Sequence, residues 1–247
     1  MIPYIRRKSI LEFMHQKEIV YIDEITEKVN VSIATVRRDL KTLADENQIE
    51  LLKGGAARLK QTYAEKSLIE KLDLNKGEKE LIGGYAATLV NDGQFIFIGP
   101  GTTENWIIKH LKDKDIIVVT NGTYHIEELR KHNIQTVILG GEVKNSIAVI
   151  TGNQTYRQIK NMIFDKCFIG CSGYTLKLGA STSDSGVSEI NKIAIANSKE
   201  VYIIADSTKL GQDSRYLFTN AEIDFKVITT SLADDKYKDE NAIIIVD

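Results

Sequence analysis

The sequence predicts an α/β fold in which a small N-terminal helical domain precedes a larger Rossmann-like α/β domain. Short apolar segments alternate with amphipathic ones from residue 77 to residue 247, the pattern of a mostly parallel sheet with helices on both faces. Before them, residues 1–59 contain three helical patterns and a hairpin pattern. The chain has 247 residues and is 43% hydrophobic, enough for one large domain and a small one.

Charge is distributed unevenly along the chain. The formal net charge is −2 and the pI is near 6.1, which is not typical of a nucleic-acid-binding protein. Residues 1–60, however, contain eleven Lys and Arg against nine Asp and Glu, whereas the remainder contains twenty-one against twenty-five. This mild basic bias of the N-terminal part gives weak support to DNA binding.

Residue types that serve metal, redox or membrane functions are sparse. The two cysteines, Cys167 and Cys171, are too few for a disulfide framework, and we expect them to be buried as small hydrophobic residues. The four histidines show no metal-ligand spacing, and no apolar segment is long enough to span a bilayer. The basic N-terminus lacks an apolar signal core. We therefore expect a cytoplasmic protein with no metal, no cofactor and no membrane contact.

Two helices and a tight turn are predicted before residue 31. Ile5–Gln16 forms the first helix and supplies apolar side chains for a small core. Ile22–Val29 forms the second, and Asp23 and Glu24 in its first turn favour the positive end of the helix dipole. Asn30 tolerates the left-handed conformation of a tight turn.

The third helix presents the candidate binding surface of this domain. Ser32 is a favourable N-cap because its hydroxyl can accept a hydrogen bond from an N–H of the first turn. Val36, Leu40 and Leu43 recur at helical spacing and would face the core, with Asp39 near the buried edge. The outward side contains Ala34, Arg37, Arg38 and Lys41, and Thr35 lies in the first turn. A helix-turn-helix whose second helix enters the DNA major groove has this pattern, although a solvated helix explains the stretch alone equally well.

A β-hairpin is predicted directly after the third helix. Ile49–Leu52 and Ala56–Leu59 are its strands, joined by a turn at Lys53-Gly54-Gly55. In this position the hairpin is a wing, whose tip can lie on phosphate or in the minor groove. Lys53 and Arg58 are its candidate contacts, and an ordinary solvated turn is the alternative.

The predicted domains are residues 1–59, a linker at 60–76 with a helical portion, and an α/β domain at 77–247. The predicted strands are Phe95–Ile98, Ile116–Val119, Thr136–Leu139, Lys166–Ile169, Val201–Ala205, Phe225–Ile228 and Ala242–Val246. The predicted helices are Leu81–Val90, two that end at Leu111 and Lys131, and Val187–Ser198.

Five of these strands end in runs of Gly, Thr, Ser, Asn or Asp. Ligands of open α/β sheets bind outside the carboxyl ends of the strands, so five such endings predict a polar pocket. The most informative is Gly99-Pro100-Gly101-Thr102-Thr103, whose glycines allow close backbone approach and whose hydroxyl and N–H groups can hold a phosphate. It has neither a P-loop ending nor a dinucleotide fingerprint, so a small phosphorylated metabolite is favoured over a nucleotide.

Further polar residues are candidates for this pocket. Lys209, three residues after Asp206, is the natural cation for a phosphate, with a surface lysine as the alternative. Asp184 is a candidate for sugar hydroxyls or equally a helix cap. Glu189 and Lys192 could face the pocket or form an i,i+3 surface pair. The other strand-end candidates are Thr120, Asn121, Gly140, Gly141, Gly170 and Gly173.

Together these residues resemble the DeoR family of bacterial transcriptional regulators over essentially the whole chain. The DNA-binding signature is matched by Val31-Ser32, Thr35–Leu40 and Gly54-Gly55-Ala56. The downstream matches are Gly101-Thr102-Thr103, Thr120-Asn121, Gly140-Gly141, Gly170 with Gly173, Glu189, and Asp206-Ser207 followed by Lys209. The resemblance implies a winged helix-turn-helix joined to a sensor domain. That sensor is similar in fold to ribose-phosphate isomerase and glucosamine-phosphate deaminase, and in the family it usually binds a phosphorylated sugar.

Three positions depart from the family pattern. Leu51-Leu52-Lys53 stands where Arg-x-His is common, which leaves Lys53 as the expected contact of the wing. Lys71 stands where an arginine is usual in the linker. Pro100 makes the threonine loop stiffer than a non-proline sequence would.

The leading functional hypothesis is a repressor of a carbohydrate-utilisation operon that is controlled by a phosphorylated sugar. It would bind double-stranded operator DNA as a homodimer or homotetramer, because one short helix reads too few bases for useful specificity. Two alternatives remain. One is a sugar-phosphate isomerase or deaminase with an accessory N-terminal domain, for which fold analogy is a weak warrant. The other is a partner-binding module whose basic helix grips an acidic protein.

Overall fold

A computed structural model describes residues 2–14, 17, 19–46, 48–59, 67–219, 223–238 and 240–247. The chain divides into two compact units, Met1–Tyr63 and Ala64–Asp247, called here the N-terminal and C-terminal units. Residues 60–66 of the predicted linker lie outside the described residues, as do His15 and Gln16 at the end of the first predicted helix. The predicted boundaries after residues 59 and 76 stay a prediction.

Within its described residues, the N-terminal unit contains three helices and a small antiparallel sheet. Its elements are α1 (Pro3–Met14), β1 (Val20–Tyr21), α2 (Ile22–Val29), α3 (Ile33–Asp45), β2 (Ile49–Leu52) and β3 (Ala56–Leu59). The strand order is β1-β3-β2, and Ile49 lies opposite Leu59 in the hairpin that the sequence predicts. The helix α1 starts at Pro3 rather than Ile5, because proline is pre-organised for the first helical position. The pattern of a two-residue strand is too short to detect, so β1 was not predicted.

Apolar side chains of all three helices meet the sheet in one core. The core includes Ile10, Met14, Val20, Ile25, Val29, Val36, Leu40, Leu43, Ile49 and Ala57, all of which are buried. Burying one such large apolar side chain contributes about 1.5–3 kcal/mol. The apolar seam predicted for α3 is therefore the part of that helix that attaches it to the unit.

The C-terminal unit is an α/β domain. Its helices are α4 (Leu68–Leu72), α5 (Lys76–Thr88), α6 (Glu104–His110), α7 (Ile126–Lys131), α8 (Asn153–Ile159), α9 (Ser185–Ala196) and α10 (Asp235–Lys238). Its strands are β4 (Phe95–Ile98), β5 (Ile117–Thr120), β6 (Gln135–Ile138), β7 (Glu142–Lys144), β8 (Val149–Thr151), β9 (Phe164–Gly170), β10 (Gly173–Thr175), β11 (Gly179–Thr182), β12 (Ser198–Ile204), β13 (Tyr216–Leu217), β14 (Lys226–Thr230) and β15 (Ile243–Val246).

Seven of these strands form one parallel sheet in the order β15-β14-β12-β9-β4-β5-β6. They are the seven strands that the sequence predicts, with ends displaced by a few residues. The chain leaves β4 toward one edge through β5 and β6, and then returns to β9 on the other side of β4. Strand order therefore reverses between β4 and β9, and such a switch point is where ligands bind in open sheets.

Alternate residues of the central strands face two helical layers. Ile96 and Phe168 pack in the core that includes residues of α5, α6 and α7. Phe97 and Cys167 pack in the core that includes residues of α8 and α9. The near-continuous apolar runs of β4 and β9 follow from burial on both faces.

Several elements differ from those predicted. The helix α5 begins at Lys76, whereas the sequence pattern predicted a start at Leu81. The pattern missed the first turn because that turn is polar and has no apolar periodicity. The short strands β7, β8, β10, β11 and β13 and the helix α8 were not predicted. They lie in segments that are too short or too polar for a period of two or 3.6 residues to emerge. The five short strands form two small antiparallel sheets, β7-β8 and β10-β11-β13, beside the main one.

Candidate functional site

The start of α3 has the geometry that the sequence predicts. Asn30 is in the left-handed conformation, with φ of 50°. The Ser32 hydroxyl accepts a hydrogen bond from the backbone N–H of Thr35 at 3.3 Å and lies 3.0 Å from the Thr35 hydroxyl. Val36, Leu40 and Leu43 are all buried. The cap and the seam together fix how this helix presents its other side.

The outer face of α3 is basic and unneutralised. Ala34, Arg37, Arg38 and Lys41 are exposed. The side chains of Arg37, Arg38 and Lys41 make no hydrogen bond or ion pair with any other described residue. Asp39, which follows the two arginines, faces inward, where its Oδ2 lies 2.5 Å from Nε of Arg6 on α1. The positive charge of the face is therefore available to an external anion.

The hairpin after α3 has one basic residue at its tip. Gly54 and Gly55 have φ of 85° and 77°, a conformation that favours glycine, and Lys53 beside them is exposed. Arg58 is also exposed, but its guanidinium lies 2.7 Å from the Glu50 carboxylate on the neighbouring strand. Pairing with Glu50 reduces the charge that Arg58 can offer to a ligand.

The carboxyl ends of β4, β5 and β9 bring the glycine-threonine loop and its predicted partners to one edge. Ile98 is paired with Thr120 on one side and with Phe168 on the other. The loop is held at its start by a hydrogen bond from the Gly99 N–H to the Phe168 carbonyl oxygen at 2.8 Å. Gly170 ends β9 two residues later, so the loop and the end of β9 face each other.

Glu104, which sequence reasoning missed, occupies the backbone cradle of this loop. Its carboxylate accepts a hydrogen bond from the Gly170 N–H at 2.7 Å. Burial raises the pKa of Glu104, while the N–H groups of Gly170 and Gly101 oppose that shift. A Cβ at Gly101 would lie 2.2 Å from Glu104 Oε2, so a larger residue there would displace this carboxylate. The cradle expected to hold a phosphate thus already holds a carboxylate.

His125, also missed, joins this loop to the end of β5. The side chain is fully buried, with Nε2 3.0 Å from the Gly101 carbonyl oxygen and Nδ1 3.4 Å from the Thr120 hydroxyl. Burial lowers its pKa to about 4, so the ring is neutral at physiological pH. Its isolated position in the sequence carried no signal, and only the fold places it between the two loops.

A buried amide oxygen lies at the end of β5. Asn121 donates its side-chain N–H to the Ile150 carbonyl oxygen at 3.0 Å, but its Oδ1 has no hydrogen-bond partner among the described residues. A buried polar atom without a partner costs free energy. Asn121 therefore has an unused hydrogen-bond acceptor at the end of β5.

The loop after β12 places Asp206 and Lys209 at the same sheet edge. Asp206 is buried, and its Oδ1 accepts from the Thr208 N–H at 3.2 Å and from the Asn75 amide at 2.9 Å. Lys209 is partly exposed, and its side chain makes no hydrogen bond or ion pair with another part of the chain that the structure describes. The carboxylate therefore shapes this loop, and the lysine is available to an anion.

Other predicted residues are used within the fold. Asp184 caps α9 by accepting from the Val187 N–H at 3.0 Å, and it lies 2.5 Å from Nζ of Lys144. Glu189 and Lys192 are exposed on α9, and their side chains make no hydrogen bond or ion pair within the described ranges. The helix cap, which the sequence analysis gave as the alternative to a ligand role for Asp184, is thus observed.

The remaining predicted glycines lie at two places on the same side of the domain. The Gly140 backbone is bonded to Gln158 and to the Thr155 hydroxyl. Gly141 lines a cavity of about 320 Å³ with residues at the start of α8. Gly173 in β10 packs against the Gln212 carbonyl oxygen, which a Cβ would approach to 2.5 Å.

Neither cysteine is prepared for nucleophilic chemistry. Cys167 is buried in the core, and burial raises the pKa of the Cys171 thiol to about 12. The described residues contain no group of three or more His, Cys, Asp or Glu side chains that could hold a metal ion. Within the same residues, no helix is long and apolar enough to cross a membrane.

Two family models match the chain in succession. Residues 6–62 match the DeoR-like helix-turn-helix domain. Residues 74–231, more than half of the chain, match the DeoR C terminal sensor domain. The chain belongs to the DeoR family. It is accordingly a transcriptional regulator with an N-terminal helix-turn-helix and a C-terminal sensor domain, and the resemblance stated from the sequence is confirmed.

Curated relatives of this DeoR-family regulator align over most of its length. The uncharacterized HTH-type transcriptional regulator FruR of Bacillus subtilis (strain 168) is 33% identical over 98% of this chain and 97% of its own. The lactose phosphotransferase system repressor of Staphylococcus epidermidis is 31% identical, with 86% of each chain covered. The repressor of the same name from Lactococcus lactis subsp. lactis is 34% identical over 83% of this chain and 82% of its own.

Solved structures similar to the DeoR-family chain are distant. Ribose 5-phosphate isomerase a of Methanocaldococcus jannaschii has a TM-score of 0.42 and 20% identity, with 55% of each chain covered. The translation initiation factor eIF-2B of Pyrococcus horikoshii OT3 has a TM-score of 0.44 and 13% identity, with 90% of this chain and 70% of that chain covered. Both likenesses concern the fold alone.

Proposed function

We propose that this regulator represses a carbohydrate-utilisation operon and that a phosphorylated sugar controls its binding to operator DNA. The observation that carries the proposal is the outer face of α3, where Arg37, Arg38 and Lys41 are exposed and unneutralised by other described residues. Two relatives at 31% and 34% identity are named lactose phosphotransferase system repressors, which supports control of a sugar operon.

The proposed DNA contacts lie on α3 and on the wing. Arg37 and Arg38 contact phosphate or guanine edges, since a guanidinium matches both groups in bidentate geometry. Ser32, which caps the helix, and Thr35, which is hydrogen-bonded to that cap, position its first turn. Arg58 contributes less than Lys53 because Glu50 already pairs with it. The full proposed set is Ser32, Ala34, Thr35, Arg37, Arg38, Lys41, Lys53 and Arg58.

The proposed effector site lies at the carboxyl ends of the parallel strands. Lys209 binds the phosphate, and Asn121 accepts from a sugar hydroxyl through its unpartnered Oδ1. The proposed set is Gly99, Gly101, Thr102, Thr103, Thr120, Asn121, Gly140, Gly141, Gly170, Gly173, Asp184, Glu189, Asp206 and Lys209. In this proposal the carboxylates and lysines bind a ligand and do not turn it over.

The regulator is proposed to act as a homodimer or homotetramer with residues 1–59 for DNA binding, 60–76 as a linker and 77–247 for sensing. Effector shifts operator affinity because it binds one arrangement of the assembly more tightly than the other. The proposal implies a cytoplasmic protein, since both the operator and a phosphorylated sugar are found there.

Gel-shift titration tests the proposal. Full-length protein is incubated with the duplex upstream of its own gene or of adjacent sugar genes, with random duplex as the control, and is titrated with a panel of hexose and pentose phosphates. Specific binding that one sugar phosphate changes is the expected result. Absence of DNA binding under every condition would exclude a repressor, and turnover of a sugar phosphate by the full chain would support the isomerase or deaminase alternative.

A further inference from the structure

A buried lysine of α5 lies beside the proposed effector site and was not among its predicted residues. Lys79 is only 4% exposed. Its ammonium donates a hydrogen bond to the Lys71 carbonyl oxygen at 2.5 Å, and no carboxylate of a described residue lies within 4.0 Å of it. An ammonium has three donors, so this buried cation has unused hydrogen-bonding capacity.

The surroundings of Lys79 are the charged residues of the sheet edge. Burial lowers its pKa, and the charges that act on it come from Asp206, Lys209, Glu104 and Lys71. Glu104 is the first residue of α6, the helix that follows β4, and Asp206 and Lys209 follow β12. Asn75, which precedes α5, donates to Asp206 at 2.9 Å, and Glu78 of α5 accepts from the Ser207 N–H at 2.9 Å. The first turn of α5, which contains Lys79, therefore lies against the loop that follows β12.

Both nearby carboxylates are engaged with other donors. Glu104 accepts from the Gly170 N–H at 2.7 Å. Asp206 accepts from the Asn75 amide at 2.9 Å and from the Thr208 N–H and hydroxyl. Neither forms an ion pair with Lys79. Burying a charge without a paired opposite charge is costly, so an anion that is supplied from outside would stabilise the charged form of Lys79.

We propose that Lys79 is a second cation for the phosphate of the effector and acts together with Lys209. This inference rests on the proposed function, because it assigns a further residue to the same site. Two lysines without carboxylate partners match the two negative charges of a phosphate monoester. Glu104 fills the N–H cradle of the glycine-threonine loop and directs the anion to the lysine side of the site.

The same contact connects the ligand to α4. The Lys71 carbonyl belongs to the last turn of α4, whose terminal carbonyls have no partner within the helix, and Lys79 caps one of them. A phosphate that holds the Lys79 ammonium in place also holds this cap. Effector binding should therefore slow amide hydrogen exchange in residues 68–72.

The test uses the full chain and four proteins, namely wild type, Lys79→Met, Lys79→Arg and Lys76→Met. Lys76 is the matched control because it is an exposed lysine of the same helix, paired with exposed Asp73 at 2.8 Å. Calorimetric titration is performed with inorganic phosphate and with each sugar phosphate that binds wild type. Lys79→Gln replaces Lys79→Met if the latter does not fold.

Lys79→Met should weaken phosphate and sugar-phosphate binding about tenfold or more, because it removes a charge-assisted contact. Lys76→Met should change affinity less than about twofold, and Lys79→Arg should retain most of it. The Tm of Lys79→Met should be unchanged or raised, since an unpaired buried charge is replaced by an apolar group of similar length.

Two results would overturn the inference. One is Lys79→Met binding both ligands as tightly as wild type, and the other is wild type binding neither ligand. The repressor function is judged separately by operator binding, so its failure is distinguishable. If wild type binds phosphate but no sugar phosphate, the proposed effector class is wrong, and Lys79 is still tested by phosphate alone.

Discussion

At the scale of single residues, the ion pairs within the N-terminal unit determine which basic side chains stay available to bind DNA. Asp39 is withdrawn into the N-terminal unit by Arg6, which leaves Arg37 and Arg38 without an internal acid. On the wing the reverse occurs, because Glu50 neutralises Arg58. The helix therefore presents more uncompensated charge than the hairpin does.

Replacing Arg37 and Arg38 together with alanine should weaken operator binding about a hundredfold or more, since each phosphate or base contact contributes about 1–3 kcal/mol. The matched control is Arg58→Ala, which should cost less than about fivefold because Arg58 is paired with Glu50. Gel shifts measure the affinities, and a thermal-shift titration with effector checks the sensor. Loss of both operator and effector binding would mean that the two arginines are structural.

The buried His125 should make stability pH-dependent. Its pKa is about 4 in the folded chain and about 6.5 when unfolded, so below pH 6.5 the unfolded state binds a proton that the folded state does not. The free energy of unfolding should therefore fall by about 2 kcal/mol between pH 7 and pH 5 from this residue alone.

Urea unfolding of wild type and His125→Gln at both pH values isolates this contribution. Protonation of buried Glu104 raises the free energy of unfolding as the pH falls, but both proteins retain Glu104. The difference between their pH dependences therefore reports the contribution of His125. His110→Gln, at an exposed histidine, is the control. Its change in the free energy of unfolding between the two pH values should equal that of wild type. Equal pH dependence in wild type and His125→Gln would contradict the prediction.

At the scale of elements, the sequence pattern predicted the strands that are buried on both faces and missed the features that depend on contacts between distant parts of the chain. The seven strands of the main sheet were predicted because burial on both faces produces uninterrupted apolar runs such as Phe95–Ile98. The start of α5 was not, since Lys76 to Lys79 show no apolar period. Yet this turn supplies Glu78, which accepts from the Ser207 N–H at 2.9 Å, and buried Lys79. Glu104 and His125 became visible only once the strand ends were brought together.

The contact between α5 and α6 requires a glycine at position 83. A Cβ there would lie 2.4 Å from the Trp106 Cβ and 2.7 Å from its backbone carbonyl carbon. Gly83→Ala should lower the free energy of unfolding by about 1–3 kcal/mol, because two helices must separate to accommodate it.

Gly84→Ala is the matched control for that substitution. Its Cβ would meet the His110 ring at 3.7 Å, an ordinary contact, so the gain in helix propensity should leave stability unchanged or raise it by up to about 1 kcal/mol. Chemical denaturation measures both variants. Equal stability of the two variants would show that α5 and α6 adjust without cost.

At the scale of the whole molecule, the regulator consists of two units with separate cores. The N-terminal unit has one core under α3, and the C-terminal unit has a core on each face of its sheet. Because the cores are separate, substitutions on α3 should leave the sensor folded. The proposed control of operator affinity must then act through the arrangement of units within an assembly.

Two copies of α3 should read two half-sites separated by a whole number of helical turns of DNA. Inserting about five base pairs between the half-sites should abolish high-affinity binding by placing them on opposite faces of the duplex, and inserting about ten should restore part of it. Footprinting and gel shifts on these operators provide the measurement. Equal affinity for all three spacings would show that a single half-site is sufficient.

The position of β9 beside β4 has a consequence for the order in which the chain folds. Ile98 pairs with Phe168, seventy residues later, so the sensor sheet closes only after a long segment has been made. The contacts within the N-terminal unit join residues of the first 63, so this unit can form before β9 has been made. During synthesis we therefore expect the operator-reading surface to form before the ligand site exists. A requirement for two copies on the operator would keep such an incomplete chain from acting as an unregulated repressor.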